Sequence, residues 1–417
     1  MKETAGRPIL QTMAEISESF KQLNITYEGI LEVIDYNQYV HLFENVPDFR
    51  QKCKIVYELP DLLMMIFMVV ILRGKESYLG IADQIEGRQK LFRDYGLIKG
   101  NAIPSHDTIR RILSLLNSDS LYEETLAGFY RYLKSLEKQF QKSGQYSHLA
   151  VDGKEMRGSG RADDTASPAR NRAHLNIYDS GTMTCICCEP IDEKENEIPV
   201  SQRLLAGMNL KKVIVTADAL HCQRKTCDII HQNKGLYVFT VKENQELLDQ
   251  EINTRFDKYA NQISTYEREG RTIQIYHLPK GYCVDGFTGM KCFARMKSRK
   301  CRNGCERRFI SNSTDDELIC SAIESRWLIE DGFHREKDAL FCEDGVTATD
   351  KNALHNIALL NNLAFQLFHL YQAISGKEFR KARVAFEIDP LECISQILGV
   401  MNSEEITDKL KKELKKH

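Results

Sequence analysis

The apolar pattern of this 417-residue chain changes its period near residue 146, and that change limits the possible folds more than any other feature. Before it, apolar residues recur at helical intervals, as at Ile9, Met13, Ile16 and Phe20. After it come short β-type runs, YSHLAVD, AHLNIYDS and TMTCICCEP, separated by Gly and Ser clusters. Two further strands, KVIVTADA and LYVFTVK, alternate with helical stretches over QRLLAGM, about 221 to 233, and from near Glu243. Three early strands followed by alternating helix and strand predict an α/β domain with a mixed sheet, preceded by an all-α region.

The helical region contains the longest apolar run, Leu62 to Leu72, bounded by Pro60-Asp61 and Arg73-Gly74. Its eleven residues fall short of the roughly 20 needed to span a bilayer, so a buried helix is expected and no membrane partner. Ser105 is placed to cap the helix that carries Arg110 and Arg111, with Asp107 in its first turn. That helix and the one before it form either a DNA-reading pair or a packing unit; the turn YGLIKGNAIPSHD is long for a helix-turn-helix. Towards the other end, TIQIYHL, GMKCFARM and RRFISN read as strands of a β-rich insertion, and ELICSAIESRWLIEDGFHREKDAL as a helix. KNALHNIALLNNLAFQLFHLYQAI is apolar enough to require burial, and the tail from Ser403 is charged and amphipathic.

A formal charge of −2 excludes a uniformly basic coat, so any contact with nucleic acid must come from local clusters. One is the polar stretch after the first strand, with Lys154, Arg157, Arg161, Arg170 and Arg172. Another is KCFARMKSRKCRNGCERR, where Lys291, Arg295, Lys297, Arg299, Lys300, Arg302, Arg307 and Arg308 face Glu306 alone. Thirteen cysteines in no small-scaffold pattern, and an opening without an apolar signal segment, fit a reducing cytoplasm.

Asp152 ends the strand YSHLAVD and Asp218 ends KVIVTADA. Ligands gather at the carboxyl ends of strands in open α/β sheets, and neighbouring strands lie roughly 4.8 Å apart, so the two carboxylates could share one ion. Oxygen donors in twos and threes suit Mg²⁺, and a pair of ions about 3.5 to 4 Å apart can activate an attacking oxygen and stabilise a leaving one. An aspartate at a strand end is also an ordinary turn former. Further on, Arg326, Glu330 and Lys337 are spaced by four and seven residues, which on an α-helix brings them to one face. One acid between two cations suits a metal-bound phosphate, and also an ordinary salt-bridged face.

Together these segments resemble the DDE transposases of bacterial insertion sequences, in the H repeat-associated branch. The resemblance runs from about 45 to 372, through VPDFRQKCKIVYELPDLL, PSHDTIRRIL, VDGKEMRGS, TADALHCQRKT, YVFTVKENQ, ESRWLIEDGFHREKDALFCED and LHNIALLNNLA. It implies Asp152, Asp218 and Glu330 as catalytic and metal-holding acids, with Mg²⁺ or Mn²⁺, two ions, as cofactor. It further implies an RNase H-like core with a β-rich insertion, DNA as partner, and a homo-oligomer assembled on it. Ile323, Arg326, Glu330 and Lys337 fall on the Tyr-Arg-Glu-Lys signature, Ile323 standing where the signature has tyrosine.

On this basis the expected divisions are a helical domain over 1–140, core over 141–257 and 313–375, an insertion over 258–312 and a tail over 376–417. DNA contacts are expected from Lys154, Arg157, Arg326, Lys337, Arg295, Lys297 and Arg299. The expected reaction is metal-assisted attack of water on the phosphodiester at each element end, then attack of the freed 3′-hydroxyl on target DNA. The alternatives are a nuclease of the same fold without strand transfer, and a silent DNA-binding derivative.

Several other residues invite a chemical role. His221, three residues after Asp218, could touch metal or phosphate, but its plainer reading is a helix-start histidine, and the same holds for His106 and His174. Cys283, Cys292, Cys301 and Cys305 lack a Cys-x-x-Cys pair for zinc, and Cys185, Cys187 and Cys188 read as strand packing. Trp327, the single tryptophan, either packs its helix into the core or stacks on a displaced base.

Overall fold

A computed structural model describes residues 8–23, 42–72, 77–159, 171–192, 195–268, 270–284, 286–298 and 306–416. Nine strands form one mixed sheet: β1 (Ser147–Met156), β2 (Arg172–Asp179), β3 (Thr184–Ile191), β4 (Val213–Ala217), β5 (Leu236–Val241), β6 (Ile263–Arg268), β7 (Arg271–His277), β8 (Cys292–Ser298) and β9 (Glu306–Ser311). Their order across the sheet is β3-β2-β1-β4-β5-β9-β8-β7-β6. The first three strands pair antiparallel, β1, β4 and β5 run parallel, and β9 turns back antiparallel against β5.

Alternation along the strands decides what each face packs on. Leu149 and Val151 of β1 join a core with Val200, Leu205 and Ile230 from the helices Glu197–Ala206 and Arg224–Gln232. Ala150, between them, points the other way into the largest core, beside residues of the helical region. The expected insertion is therefore no separate lobe: β6 to β9 extend the same sheet, and β6, absent from the sequence reading, forms its far edge.

The helical region and the C-terminal part of the chain meet around one helix, Lys351–Ser375. Its residues are buried on nearly every side because the helices Thr12–Leu23, Leu59–Ile71, His106–Leu115 and Pro390–Asn402 surround it. It ends at Gly376, whose φ of 63° suits glycine. Ser105 caps its helix as expected, accepting from the Thr108 N–H. The charged tail is an ordered helix, Glu404–Leu414, because Ile406, Leu410 and Leu414 recur every four residues and all are buried. Among the described residues no helix is long and apolar enough to cross a membrane.

Candidate active site

The sheet register brings Asp152 and Asp218 side by side. Val151 and Ala217 are partners across the parallel β1–β4 pair, and each aspartate follows directly. Asp218 turns its chain with an Asx bond, Oδ1 accepting from the Leu220 N–H at 2.9 Å. Beyond it opens a cleft of about 800 Å³ lined also by Thr240, Lys242, Asn244, Arg307 and Arg308.

Asp152 is backed by Asn176 and His334. The Cys185 thiol lies 3.4 Å from Asn176 Oδ1 and 3.1 Å from Cys187 O, and Asn176 Nδ2 donates to His334 Nε2 at 3.2 Å. This leaves the imidazole proton on Nδ1, which lies 3.4 Å from Asp152 Oδ2. Asn176 is also the cross-strand partner of Asp152 on β2.

His334 belongs to the segment expected as plain helix. The structure has an α-helix over Asp316–Ser325, a π-helix over Leu328–His334, and an α-helix over Arg335–Phe341. The Arg335 N–H accordingly reaches back five residues to Glu330 O. Arg326 and Glu330 share a face as expected, but Lys337, beyond the wider turn, does not join them. Glu330 is 43% exposed and paired with Arg326 at 3.1 Å, while Lys337 is 1% exposed. Lys337 Nζ donates to Glu343 Oε1 at 3.1 Å and Asn362 Oδ1 at 2.7 Å, and lies over the Phe333 ring. Burial pushes Glu343 up, but the charges of Lys337 and Lys154 outweigh it and leave the carboxyl below its usual range. Ile323, in the tyrosine position, is buried beside Ile214 and Val238.

The remaining expected contacts divide by exposure. Lys154 is half-buried, 2.7 Å from Asp344, whereas Arg157 is exposed, 3.6 Å from the same carboxylate. Arg295 lies over the Phe256 ring and donates to Gln274, while Lys297 stands out on the surface beside Glu306. Arg326 is buried over Trp327, whose ring also has Arg307 and Arg271 within 4.6 and 5.5 Å. Arg161, Arg170, Arg299, Lys300, Arg302, Cys301 and Cys305 lie outside the described residues. Cys283 is exposed and Cys292 buried on β8, His174 is buried against His355, and His106 is exposed at its helix start.

Among the described residues, no three His, Cys, Asp or Glu side chains already stand together as a metal-binding group. Asp152, expected to end its strand, instead lies within β1, which runs on to Met156 paired with β2; it is the pairing with β4 that stops just before it. The donor chemistry nonetheless fits a hard divalent cation: two carboxylates directly after the last β1–β4 pair, with Glu330 on an element anchored to the first of them. The sequence reading missed Asn176 and His334.

Comparison with known proteins agrees with this layout. Residues 143–367 match the family described as transposase DDE domain, and residues 40–127 match the DDE_Tnp_1-associated family. The H repeat-associated protein YhhI of Escherichia coli is 27% identical over 366 residues, covering 81% of this chain and 92% of the relative. A second, H repeat-associated YbfD of the same species, is 28% identical over 243 residues, covering 55% of this chain and 90% of that one. The inactive transposase YbfQ of that species is 40% identical over 68 residues, 16% of this chain and 79% of the relative. A piggyBac transposase synaptic complex with hairpin DNA superposes over 98% of this chain and 85% of that chain at 11% identity and a TM-score of 0.41, too loosely to bear on the argument. On these matches the chain belongs to the DDE transposases, in their H repeat-associated branch.

Proposed function

We propose that this protein is an active transposase that cuts DNA at the ends of its element and joins the freed 3′ ends to target DNA. Asp152, Asp218 and Glu330 are the catalytic acids and hold divalent cations, Mg²⁺ or Mn²⁺. The observation that carries the reading is that Asp152 and Asp218 each directly follow Val151 and Ala217, the last partners of the β1–β4 pair, with His334, four residues after Glu330, against Asp152. The order β3-β2-β1-β4-β5, antiparallel then parallel, supports an RNase H-like core with β6 to β9 as the insertion on its edge.

Bound at these carboxylates, divalent cations supply Lewis-acid stabilisation of the phosphate charge and acidify a bound water. The chain's own residues do the rest. Asn176 and His334 hold Asp152 in place through its Oδ2. The Asx turn sets Asp218 at the rim of the cleft. Glu330 is kept turned to Arg326 until a phosphate takes over the guanidinium, which binds oxygens in a planar fork. Arg157, Lys297 and the cleft cations Lys242 and Arg307 offer charge to the DNA backbone, and Lys154 reaches it if Asp344 yields. Joining two ends to one target requires two active sites, so the working form is a homo-oligomer on DNA.

The test is cleavage of supercoiled DNA carrying the element's own ends, with Mg²⁺ or Mn²⁺ against EDTA, for wild type and for D152N, D218N and E330Q. Metal-dependent cutting at the ends, lost in each variant, is expected. Cutting that persists in one variant removes that residue from the site. Binding of ends without any cutting by wild type would replace the reading with that of a silent DNA-binding protein.

A further inference from the structure

The segment YVFTVKENQ forms β5 and the turn after it, and β5 is the parallel neighbour of β4, with Ala217 paired to Phe239. The chain leaving β5, residues 242–245, therefore comes out beside the chain leaving β4, residues 218–222, which opens with Asp218. In the sheet order β1-β4-β5, Asp218 has Asp152 on one side and the residues after β5 on the other.

The turn at 218–222 lies beyond the β4–β5 ladder, so its carbonyls need other donors. Some are its own: Ala219 O accepts from the Cys222 N–H at 3.3 Å, His221 O from the Gln223 N–H at 2.8 Å, and Leu220 O from Gln223 Nε2 at 3.1 Å. The others come from the neighbouring turn. Asn244 Nδ2 donates to Ala219 O at 2.7 Å, and Gln245 Nε2 donates to Cys222 O at 3.0 Å. Gln245 stands at the N-cap of the helix Glu246–Lys258 but makes no side-chain bond to cap it. His221, between the two anchored residues, is buried with Nδ1 3.1 Å from Ser201 Oγ. The core thus holds the middle of the turn and two successive amides hold its ends, and Asn244 lines the same cleft as Asp218.

We propose that Asn244 and Gln245 are positioning residues for Asp218. By pinning Ala219 and Cys222 they fix the turn whose Asx bond joins Asp218 Oδ1 to the Leu220 N–H, and so set the carboxylate for a divalent cation. The inference rests on the proposed metal-holding role of Asp218. A carboxylate on an unpinned turn samples many arrangements, and binding an ion has to order them. Groups that orient a ligand without touching the ion typically contribute about 10- to 100-fold in metal affinity.

Titration of the full chain with Mn²⁺, without DNA and followed by the electron paramagnetic resonance of the free ion, tests this beside thermal melting. N244L and Q245M keep each side chain close to its size and remove the donor. Wild type is expected to bind and D218N to lose binding, while N244L and Q245M each weaken it about tenfold with the melting temperature held within a few degrees. In end cleavage, the Mn²⁺ concentration for half-maximal rate should rise by the same factor while affinity for the DNA ends is unchanged. Wild-type Mn²⁺ affinity in one variant removes that residue from the assignment. Wild-type affinity in both, with loss in D218N, would overturn the inference and leave the proposed function standing. Weakened binding together with a collapse of the melting temperature in both would also overturn it, by making the amides fold residues. Binding unchanged in D218N would instead overturn the metal-holding role on which the inference depends.

Discussion

His334 Nδ1 lies 3.4 Å from Asp152 Oδ2, and His334 follows Glu330 by four residues on the π-helix, so the element carrying Glu330 is tied to the strand carrying Asp152. A tie of this kind transmits any movement of the helix to the carboxylate. Replacing His334 with alanine should lower end cleavage by about 10- to 100-fold while DNA binding stays near wild type. Cleavage rates beside an anisotropy titration of the same DNA check this, and an unchanged rate would reduce the contact to packing.

Lys337 and Glu343 form an ion pair with both side chains almost wholly buried. Removing one partner of such a pair leaves an uncompensated charge and costs about 3–5 kcal/mol. K337A should therefore unfold at markedly lower denaturant while a soluble fraction binds DNA with wild-type affinity. K337M combined with E343L should recover much of the loss. If K337A instead folds normally and binds DNA weakly, Lys337 reaches the phosphate after all.

His148 and His174 are buried bases held neutral. Burial pushes His148 down to about 4, against a weak opposing pull from Asp179, and pushes His174 down to about 3, aided by His355. The unfolded chain takes up both protons near pH 6.5, whereas the folded chain does not until far lower. Their contribution is complete above pH 6.5 and is lost as pH falls towards 4, by about 1.4 kcal/mol per pH unit for each group. Denaturation midpoints should fall steadily from pH 7 to pH 5. H148Q, which can still bond Ser180 and Thr216, should flatten that slope.

Arg295 and Lys297 are two residues apart on β8 yet should behave differently on DNA. Lys297 is 53% exposed, while Arg295 is spent on Gln274 and the Phe256 ring. K297A should reduce the slope of log affinity against log salt by about one contact. R295A should leave the slope alone and lower stability. Equal slopes for wild type and K297A would remove β8 from the DNA interface.

Much of this was legible along the chain because it is local. Periodicity separated the helical part from the sheet, and the Ser105 cap and the strands bearing Asp152 and Asp218 followed from patterns a few residues long. The family resemblance rested on the same short segments. What the sequence left open depended on distance or on turn width. Lys337 shares the face of Arg326 and Glu330 only at 3.6 residues per turn, and the π-helix before it breaks that spacing. Lys337 reads as a phosphate contact until the Lys351–Ser375 helix brings Asn362 to it and buries both.

By itself, then, the sequence determined where the helical part gives way to strands, most of those strands and which helices must be buried, since these depend on neighbours in the chain. Only the tertiary structure decided that β1 and β4 are parallel neighbours, that β1 runs on past Asp152 to Met156, and that the basic strands extend the same sheet. Strand pairing and the burial of a charge are set by groups far apart in sequence, and local pattern carries no record of them.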